Sequence, residues 1–139
     1  MQFIDYHQDW QQRVIELWQK CGLIRSWNDP EQDIFRKLTD TMGRFVLLLD
    51  DNKLIGSMMI GYDGHRGSVN YLAVQPDYQK QGAGRLMMDY CEDYLVTLGC
   101  PKINLCVRNT NVAVLDFYGA LGYQADPVVV LGKRLIADK

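Results

Sequence analysis

Residues 71–95, YLAVQPDYQKQGAGRLMMDYCEDYL, change their pattern near the middle. Up to Val74 the residues are mostly apolar, which predicts a buried strand. From Arg85 onward, apolar residues recur at helical spacing, which predicts an amphipathic helix. Between the two lies Gln79–Gly84, a polar loop with two glycines and little to bury. This order of strand, glycine loop and helix indicates a loop whose backbone has a function.

The loop Gln79–Gly84 places backbone N–H groups at the start of a helix, where the helix dipole favours an anion. Glycine lets the chain turn sharply and lets a phosphate come close. A Walker loop does not fit, because Arg85 and Leu86 stand where it needs Lys and Ser or Thr. A dinucleotide motif does not fit either, because Met87 stands where it needs a third glycine. The open interpretations are an anion cradle and a plain turn into a helix.

Length and composition limit the classes of function. The chain has 139 residues and 47% hydrophobic residues, which favours a single globular domain. Apolar runs stay far below the ~20 residues that span a bilayer, and the first ten residues lack a signal-peptide pattern. We therefore expect a cytoplasmic protein without a membrane partner. The net charge of -2 comes from 15 basic and 17 acidic residues without a basic run, so no nucleic-acid partner is expected.

The four cysteines, Cys21, Cys91, Cys100 and Cys106, show no C-x-x-C spacing. Two of them fall inside predicted regular elements, which favours small core residues in a reducing compartment. We therefore expect neither a disulfide nor a metal.

The N-terminal third predicts two helices. The first follows from apolar residues at helical spacing and a stop at Gly22; these residues are Trp10, Val14, Leu17 and Trp18. The second begins at Asp29, a good cap that is followed by Pro30 at the first helical position and by Gln32 of a capping box. It is expected to end near Asp40.

The remaining pattern predicts an α/β domain with a mostly antiparallel sheet of about seven strands and four helices. The third helix runs from about Gly82 to Leu98, and the fourth lies in NVAVLDFYGALGY. The segment RFVLLLDDNKLIGSMMIGYDG contains two apolar runs around a polar turn, which predicts a hairpin. Further strands are predicted at QFIDY, GSVNYLAV, KINLCV and VVVLGKRL.

Two motifs resemble signatures of the GCN5-related N-acetyltransferase (GNAT) family. Gln79, Gly82 and Gly84 match its pyrophosphate motif, which is Gln or Arg, two residues, Gly, one residue, and Gly or Ala. Asn111 and Tyr118, followed by Leu-Gly-Tyr, match its second signature. The resemblance covers nearly the whole chain in element order. The segments SWNDPEQDI, GYDGHRGS, GCPKI and LGKRLI look like the small bacterial acetyltransferases of the YpeA type.

The resemblance implies acetyl-CoA as co-substrate, bound where the fourth and fifth strands splay apart. The pantetheine arm would pair with the fourth strand, and an N–H near Leu72 would polarise the thioester carbonyl. An acceptor amine would attack directly, and Tyr118 would protonate the departing thiolate. The implied acetyl-CoA-binding residues are Leu72, Ala73, Val74, Gln79, Lys80, Gln81, Gly82, Ala83, Gly84, Arg85, Asn111 and Tyr118.

Several of these residues have a second interpretation. Tyr118 could be a packed aromatic residue, and Asn111 could act only as a helix N-cap. Gln79 could be a solvated residue or could brace the turn. Lys80 and Arg85 could meet phosphates or only water.

The sequence leaves open which group acts as the general base and which amine accepts the acetyl group. Many relatives carry a Glu early on the fourth strand, whereas this chain has Ser68 and Asn70 there. Asp63 and His65, in the preceding turn, are the candidates for a water-linked base. Alternatively they only suit the turn, and the proton is lost to water. The family places the acceptor near LIRSWNDP and after Tyr123, and the near-neutral charge disfavours a polyamine.

Two other classes of function compete with an acetyltransferase. An acyl-CoA sensor would keep the cradle without turnover, which the missing carboxylate permits and Tyr118 argues against. A nucleotide-binding protein unrelated to CoA would bind ATP or NAD, and its affinity would not depend on a pantetheine arm. A monomer and a homodimer both fit the sequence.

Overall fold

The computed structural model describes residues 1–138 and divides into two compact units, residues 1–104 with Asp138 and residues 105–137. The first unit contains four strands among its described residues: β1 (Gln2–Asp5), β2 (Arg44–Asp50), β3 (Lys53–Tyr62) and β4 (Gly67–Val74). It also contains three α-helices: α1 (Gln11–Lys20), α2 (Pro30–Leu38) and α3 (Ala83–Thr97). The described part of the second unit contains one α-helix, α4 (Val112–Ala120). No helix in residues 1–138 is long and apolar enough to cross a membrane.

The strands of the first unit form an antiparallel sheet in the order β1-β2-β3-β4. The predicted hairpin is confirmed as β2 and β3, which are joined at Asp51 and Asn52. Both turn residues have positive φ, 51° and 65°. Two such residues make the turn that matches strand twist, and Asp and Asn tolerate this conformation best after glycine.

Both faces of the sheet are covered by helices. On one face, α1 and α2 bury an aromatic and aliphatic cluster that includes Trp18, Ile34 and Phe45. On the other face, α3 buries Met87 and Cys91 against β2 and β3. Because both faces are packed, the strands read as nearly continuous apolar runs and not as an alternating pattern. The interior of β2, from Phe45 to Leu49, is buried at every position.

The predicted helix boundaries are close to the observed ones. The side chain of Asp29 accepts hydrogen bonds from the N–H groups of Glu31 and Gln32, at 3.1 and 3.2 Å. Pro30 occupies the first helical position, so the predicted start of α2 is confirmed. The helix α3 begins directly after Gly82.

The prediction of about seven strands is wrong for the described residues. KINLCV contributes a single parallel bridge between Gly67 and Ile103, and VVVLGKRL forms no strand in the described chain. The predicted splay requires a fifth strand beside β4, and the described residues contain no such strand. A β-branched run forms a strand only where a neighbouring strand pairs with its backbone, and sequence propensity does not supply that neighbour. Val129 and Leu131 are 82% and 90% exposed.

Candidate active site

A β-bulge interrupts β4 at Tyr71 and Leu72. Ser57 of β3 pairs with Ala73, and Met59 pairs with Asn70, so two residues of β4 stand opposite one residue of β3. Tyr71 has φ of +53°, which is rare for a residue with a large side chain. Bulges of this kind bend a strand and change the direction of its backbone groups. The peptide between Tyr71 and Leu72 is therefore turned out of the regular pairing.

The side chain of Tyr71 is held by a ring and by a carboxylate. Its ring stacks on Trp18, with ring centroids 3.8 Å apart. Its hydroxyl donates to Oδ2 of Asp33 at 2.6 Å. Burial, together with the hydrogen bond to Asp33, raises the pKa of Tyr71 well above its ordinary value. Tyr71 therefore stays protonated at neutral pH and acts as a hydrogen-bond donor.

The backbone of the bulge is held by a buried serine. The hydroxyl of Ser57 donates to the carbonyl oxygen of Tyr71 at 3.1 Å. Ser57 in turn accepts a hydrogen bond from the indole Nε1 of Trp18 at 2.9 Å. Ser57 and Trp18 are both fully buried. Trp18, Ser57 and Tyr71 thus form one connected polar path from α1 through β3 to the bulge of β4.

The glycine loop follows directly from the end of β4. The side-chain amide of Gln79 donates to the carbonyl oxygen of Val74 at 3.0 Å, and that of Gln81 donates to the carbonyl of Asp77 at 2.9 Å. These bonds close the loop on itself, so Gln79 braces the turn. Lys80 has φ of +62°, and Gly82 has φ of +88°. The loop therefore has a specified conformation that ends at the first residue of α3.

The start of α3 has the features of an anion-binding site. Gly82 is the N-cap residue and, as a glycine, has no side chain to accept from the first amides. The first turn, Ala83–Arg85, contains one cation and no acid. Within the described chain, a Cβ built on Gly82 would meet no atom within 4 Å, so the space above this backbone is open. Uncapped amides and a helix dipole facing open space favour a phosphate.

In the second unit, the residues around Tyr118 form a helix end of defined geometry. The N–H of Tyr123 donates to the carbonyl of Tyr118 at 3.0 Å, and the N–H of Gly122 donates to Gly119 at 3.1 Å. Gly122 has φ of +96°, as a Schellman motif requires. The rings of Tyr118 and Tyr123 meet edge to face, with centroids 5.5 Å apart. The Leu-Gly-Tyr triplet therefore ends α4, and its tyrosine packs against Tyr118, which is buried.

Asn111 caps the other end of α4. Its side-chain oxygen accepts from the N–H of Val114 at 3.4 Å. The capping interpretation is therefore observed, and a role near CoA stays a prediction.

Asp63 and His65 lie in the turn before β4. The carboxylate of Asp63 accepts from the N–H groups of Arg66 at 2.7 Å and His65 at 2.8 Å. These two bonds, that of Arg66 first, lower the pKa of Asp63. The five residue steps from Gly67 to Leu72 cover roughly 16 Å, because a strand rises about 3.3 Å per residue. The turn thus lies at the opposite end of β4 from the bulge and the loop.

Sequence reasoning missed part of the constellation at the bulge. It placed Trp18 only among the apolar residues of the first helix and gave no role to Ser57, Tyr71 or Asp33. The one available signal was Ser57, a hydroxyl inside the apolar run of β3.

An open cleft of about 420 Å³ lies beside Tyr71 and Asp33, and Asn28 from the predicted acceptor segment lines it. Other residues of its wall are Asp33, Arg36, Lys37, Asp40, Asn70 and Tyr71.

The cysteines and acidic residues offer no competing centre in residues 1–138. Each of the four cysteines is a free thiol. Burial raises the pKa of Cys91 to about 12, so this thiol is protonated and unreactive at neutral pH. Groups of three or more His, Cys, Asp or Glu side chains that could hold a metal are absent from the described residues.

The sequence profile of the acetyltransferase (GNAT) family matches residues 12–123. The chain belongs to this family. It is similar to an acetyltransferase of Yersinia pestis (strain Pestoides F), with 45% identity over 134 residues that cover 96% of this chain and 95% of that protein. The predicted membership of the GNAT family is therefore confirmed.

Two solved structures show the same fold as this GNAT chain. One is the apo aminoglycoside antibiotic 6'-N-acetyltransferase AAC(6')-IG from Acinetobacter haemolyticus, with a TM-score of 0.79 and 17% identity over 98% of this chain and 99% of that chain. The other is the aminoglycoside N-acetyltransferase AAC(6')-Iy in complex with CoA, with a TM-score of 0.73 and 13% identity over 96% of this chain and 99% of that chain. These likenesses confirm the predicted α/β GNAT fold with four helices.

The turn before β4 leads to a test of the general base. We expect His65→Ala and Asp63→Asn to leave kcat within about twofold of wild type, with an unshifted acidic limb of the pH–rate profile. The reason is the distance along β4 and the use of the Asp63 carboxylate by the turn. Asn keeps the turn, because its side-chain oxygen also accepts backbone N–H groups. A large loss of kcat with a shifted acidic limb in either variant would show that the turn supplies the base.

Proposed function

We propose that the protein transfers an acetyl group from acetyl-CoA directly to a primary amine of a small molecule, peptide or protein. The observation that carries this proposal is that three features follow one another along the chain. They are a bulge at Tyr71 and Leu72 in β4, a braced glycine loop, and a helix start without a side-chain cap. In a chain of the GNAT family, these features fit a thioester carbonyl site followed by a pyrophosphate site. We propose that the whole chain acts as one catalytic domain.

The loop is the proposed site for the CoA pyrophosphate. The amides at the start of α3 and the positive φ of Gly82 leave room for phosphate oxygens next to the backbone. Lys80 and Arg85 add positive charge at the same place. Gln81, Ala83 and Gly84 contribute backbone groups, whereas Gln79 contributes through the bond that fixes the loop.

The strand β4 is the proposed site for the pantetheine arm. Leu72 belongs to the bulge, and Ala73 and Val74 lead from it to the loop, so an arm leaving the pyrophosphate would run along the main-chain groups of these residues. The N–H of Leu72 is the proposed donor to the thioester carbonyl. A backbone donor held in place before the reaction stabilises negative charge on that oxygen as the amine attacks.

The chemistry is a direct displacement. The amine nitrogen forms a bond to the thioester carbon, and the carbon–sulfur bond breaks. The thiolate of CoA then takes a proton from Tyr118, and the new amide loses the extra proton to water or a base. The match of Tyr118 to the family signature supports this role, as does the Schellman end that holds the residue. A phenol of pKa ~10 is a weaker acid than a thiol of pKa ~8.5, so Tyr118 shares its proton with the sulfur as the carbon–sulfur bond breaks and then regains a proton from solvent. Asn111 is proposed to lie near the CoA arm.

The cleft beside Tyr71 is the proposed acceptor site. It borders the bulge and contains carboxylates from Asp33 and Asp40, which suit an ammonium group before it loses its proton. Lys37 donates to Asp40 at 2.8 Å, and Arg36 lies 3.5 Å from Asp33, so each carboxylate already has a cation beside it. The cleft therefore fits an amine of moderate charge.

Gly82→Val tests the pyrophosphate site. The added side chain would stand where the phosphate approaches and would strain the positive φ, so the affinity for acetyl-CoA should fall by about tenfold or more, about 1.4 kcal/mol. Gly64→Val is a matched control, because Gly64 also has a positive φ of 91° and open space around it in the described chain. Calorimetry that gives wild-type affinity in folded Gly82→Val would remove the loop from the site.

Tyr118→Phe tests the acid. It keeps the ring and its packing but removes the proton, so kcat should fall by ~100-fold or more, while the CoA affinity and Tm change little. Tyr123→Phe is the matched control, because it removes a hydroxyl from the ring that packs against Tyr118. The assay follows thiol release with an amine found by an acceptor screen. Equal kcat in wild type and Tyr118→Phe, with chemistry rate-limiting, would contradict the assignment.

A further inference from the structure

We propose that Ser57 and Trp18 are positioning residues that orient the peptide between Tyr71 and Leu72 and so aim the Leu72 N–H at the thioester carbonyl. This inference rests on the proposed function, since it concerns the donor that the function requires. It assigns a role to two fully buried side chains on β3 and α1.

Ser57 is a buried hydroxyl that connects the indole of Trp18 to the backbone of the bulge. A buried hydroxyl is unfavourable unless it is hydrogen-bonded, and the run of β3 around Ser57 is apolar. Ser57 accepts from the indole of Trp18 at 2.9 Å and donates to the Tyr71 carbonyl at 3.1 Å. Among residues 1–138, Ser57 is the only buried residue of the Ser, Thr, Asn, Gln, His and charged types. These two hydrogen bonds, to Trp18 and to Tyr71, explain why a hydroxyl lies at this buried position.

The geometry of the peptide unit connects Ser57 to the Leu72 N–H. In a trans peptide, the carbonyl of one residue and the N–H of the next lie in one plane and point in opposite directions. Holding the Tyr71 carbonyl against Ser57 therefore directs the Leu72 N–H away from Ser57. In a regular ladder the neighbouring strand would fix this peptide, but here two residues of β4 face one residue of β3. The serine hydroxyl takes over that role.

The path also makes the N–H a stronger donor. A hydrogen bond to the peptide oxygen withdraws electron density and polarises the N–H of the same peptide. The indole of Trp18 donates to Ser57, which strengthens the bond that Ser57 donates onward. The chain of donors from Trp18 through Ser57 to the peptide thus ends at Leu72.

If Ser57 only supported the fold, its removal would disturb the bulge residue and the binding of CoA together. A positioning role predicts a different result. The Tyr71 side chain is held independently, by its stacking on Trp18 and its hydrogen bond to Asp33. Removing the Ser57 hydroxyl therefore releases the peptide plane and leaves the bulge residue in place. Binding of CoA at the loop and along Ala73 and Val74 should survive, because the Ser57 hydroxyl bonds to Trp18 and to the Tyr71 carbonyl instead.

The kinetic test compares Ser57→Ala with wild type. We expect kcat to fall by about tenfold or more, with KM for acetyl-CoA and Kd for CoA within about twofold of wild type. Ser57→Cys keeps a weaker donor of similar shape and should give an intermediate kcat. Trp18→Phe removes the indole donor but keeps an aromatic ring beside Tyr71, so it should lower kcat less than Ser57→Ala does. Ile55→Val is the matched control, because Ile55 is a fully buried residue of β3 in the other core cluster.

A second measurement reads the Leu72 amide directly. In ¹⁵N-labelled wild type, acetyl-CoA should move the Leu72 amide proton downfield relative to CoA, and Ser57→Ala should lose this difference. Trp18→Phe and Ser57→Cys serve the same test if Ser57→Ala yields no folded protein.

The outcomes separate the two proposals. No Leu72 difference and no turnover in wild type overturns the proposed function and, with it, this inference. A Leu72 difference and turnover in wild type that persist unchanged in Ser57→Ala overturn the inference alone. A Leu72 difference that is lost in Ser57→Ala, together with a kcat lower by about tenfold or more, supports it, provided that CoA still binds and Ile55→Val is unaffected.

Discussion

The bulge of β4 at Tyr71 and Leu72 is the constraint on which the candidate site depends. A positive φ at a large residue costs about 1–2 kcal/mol, so it persists only where the surroundings favour it. Here the stacking on Trp18, the hydrogen bond to Asp33 and the hydroxyl of Ser57 all act on one residue, Tyr71. The bulge separates the regular part of β4 from the part that leads to the loop. After it, pairing resumes at Ala73, and the strand ends at Val74.

The same strand connects the bulge to the proposed phosphate site. Val74 accepts from the side chain of Gln79, so the end of β4 and the start of the loop are fixed to each other. The loop then passes through two residues of positive φ, Lys80 and Gly82, and enters α3. The core supports this path, because Met87 of α3 packs in the cluster on the other face of the sheet. One strand and one turn would therefore hold the proposed thioester site and the proposed phosphate site at a set separation.

Much of this structure follows from local sequence. The cap at Asp29, the hairpin at Asp51 and Asn52, and the glycine loop depend on neighbours within a few residues, and each was predicted. The second signature also has a local cause, because Gly122 supplies the positive φ that ends α4. Sequence pattern finds these features because backbone conformation and nearby side chains determine them.

Features that depend on distant partners were not predicted. Trp18 and Ser57 are 39 positions apart, and Tyr71 and Asp33 are 38 apart, so no local pattern connects them. The missing strands have the same explanation: residues 128–135 have strand propensity, but a strand requires a partner edge. The proposed acceptor cleft is also assembled from separate segments, α2 with β3 and β4.

The most direct test of the account is calorimetry that compares acetyl-CoA with adenosine 3′,5′-bisphosphate on the wild-type protein. The bisphosphate carries the nucleotide end of CoA but lacks the pyrophosphate link and the pantetheine arm. If the loop binds the pyrophosphate and β4 binds the arm, acetyl-CoA should bind at least about 100-fold more tightly, about 2.7 kcal/mol. Equal affinities would contradict the account, because they would mean that the second phosphate and the pantetheine arm, and with them the bulge and β4, add nothing to binding.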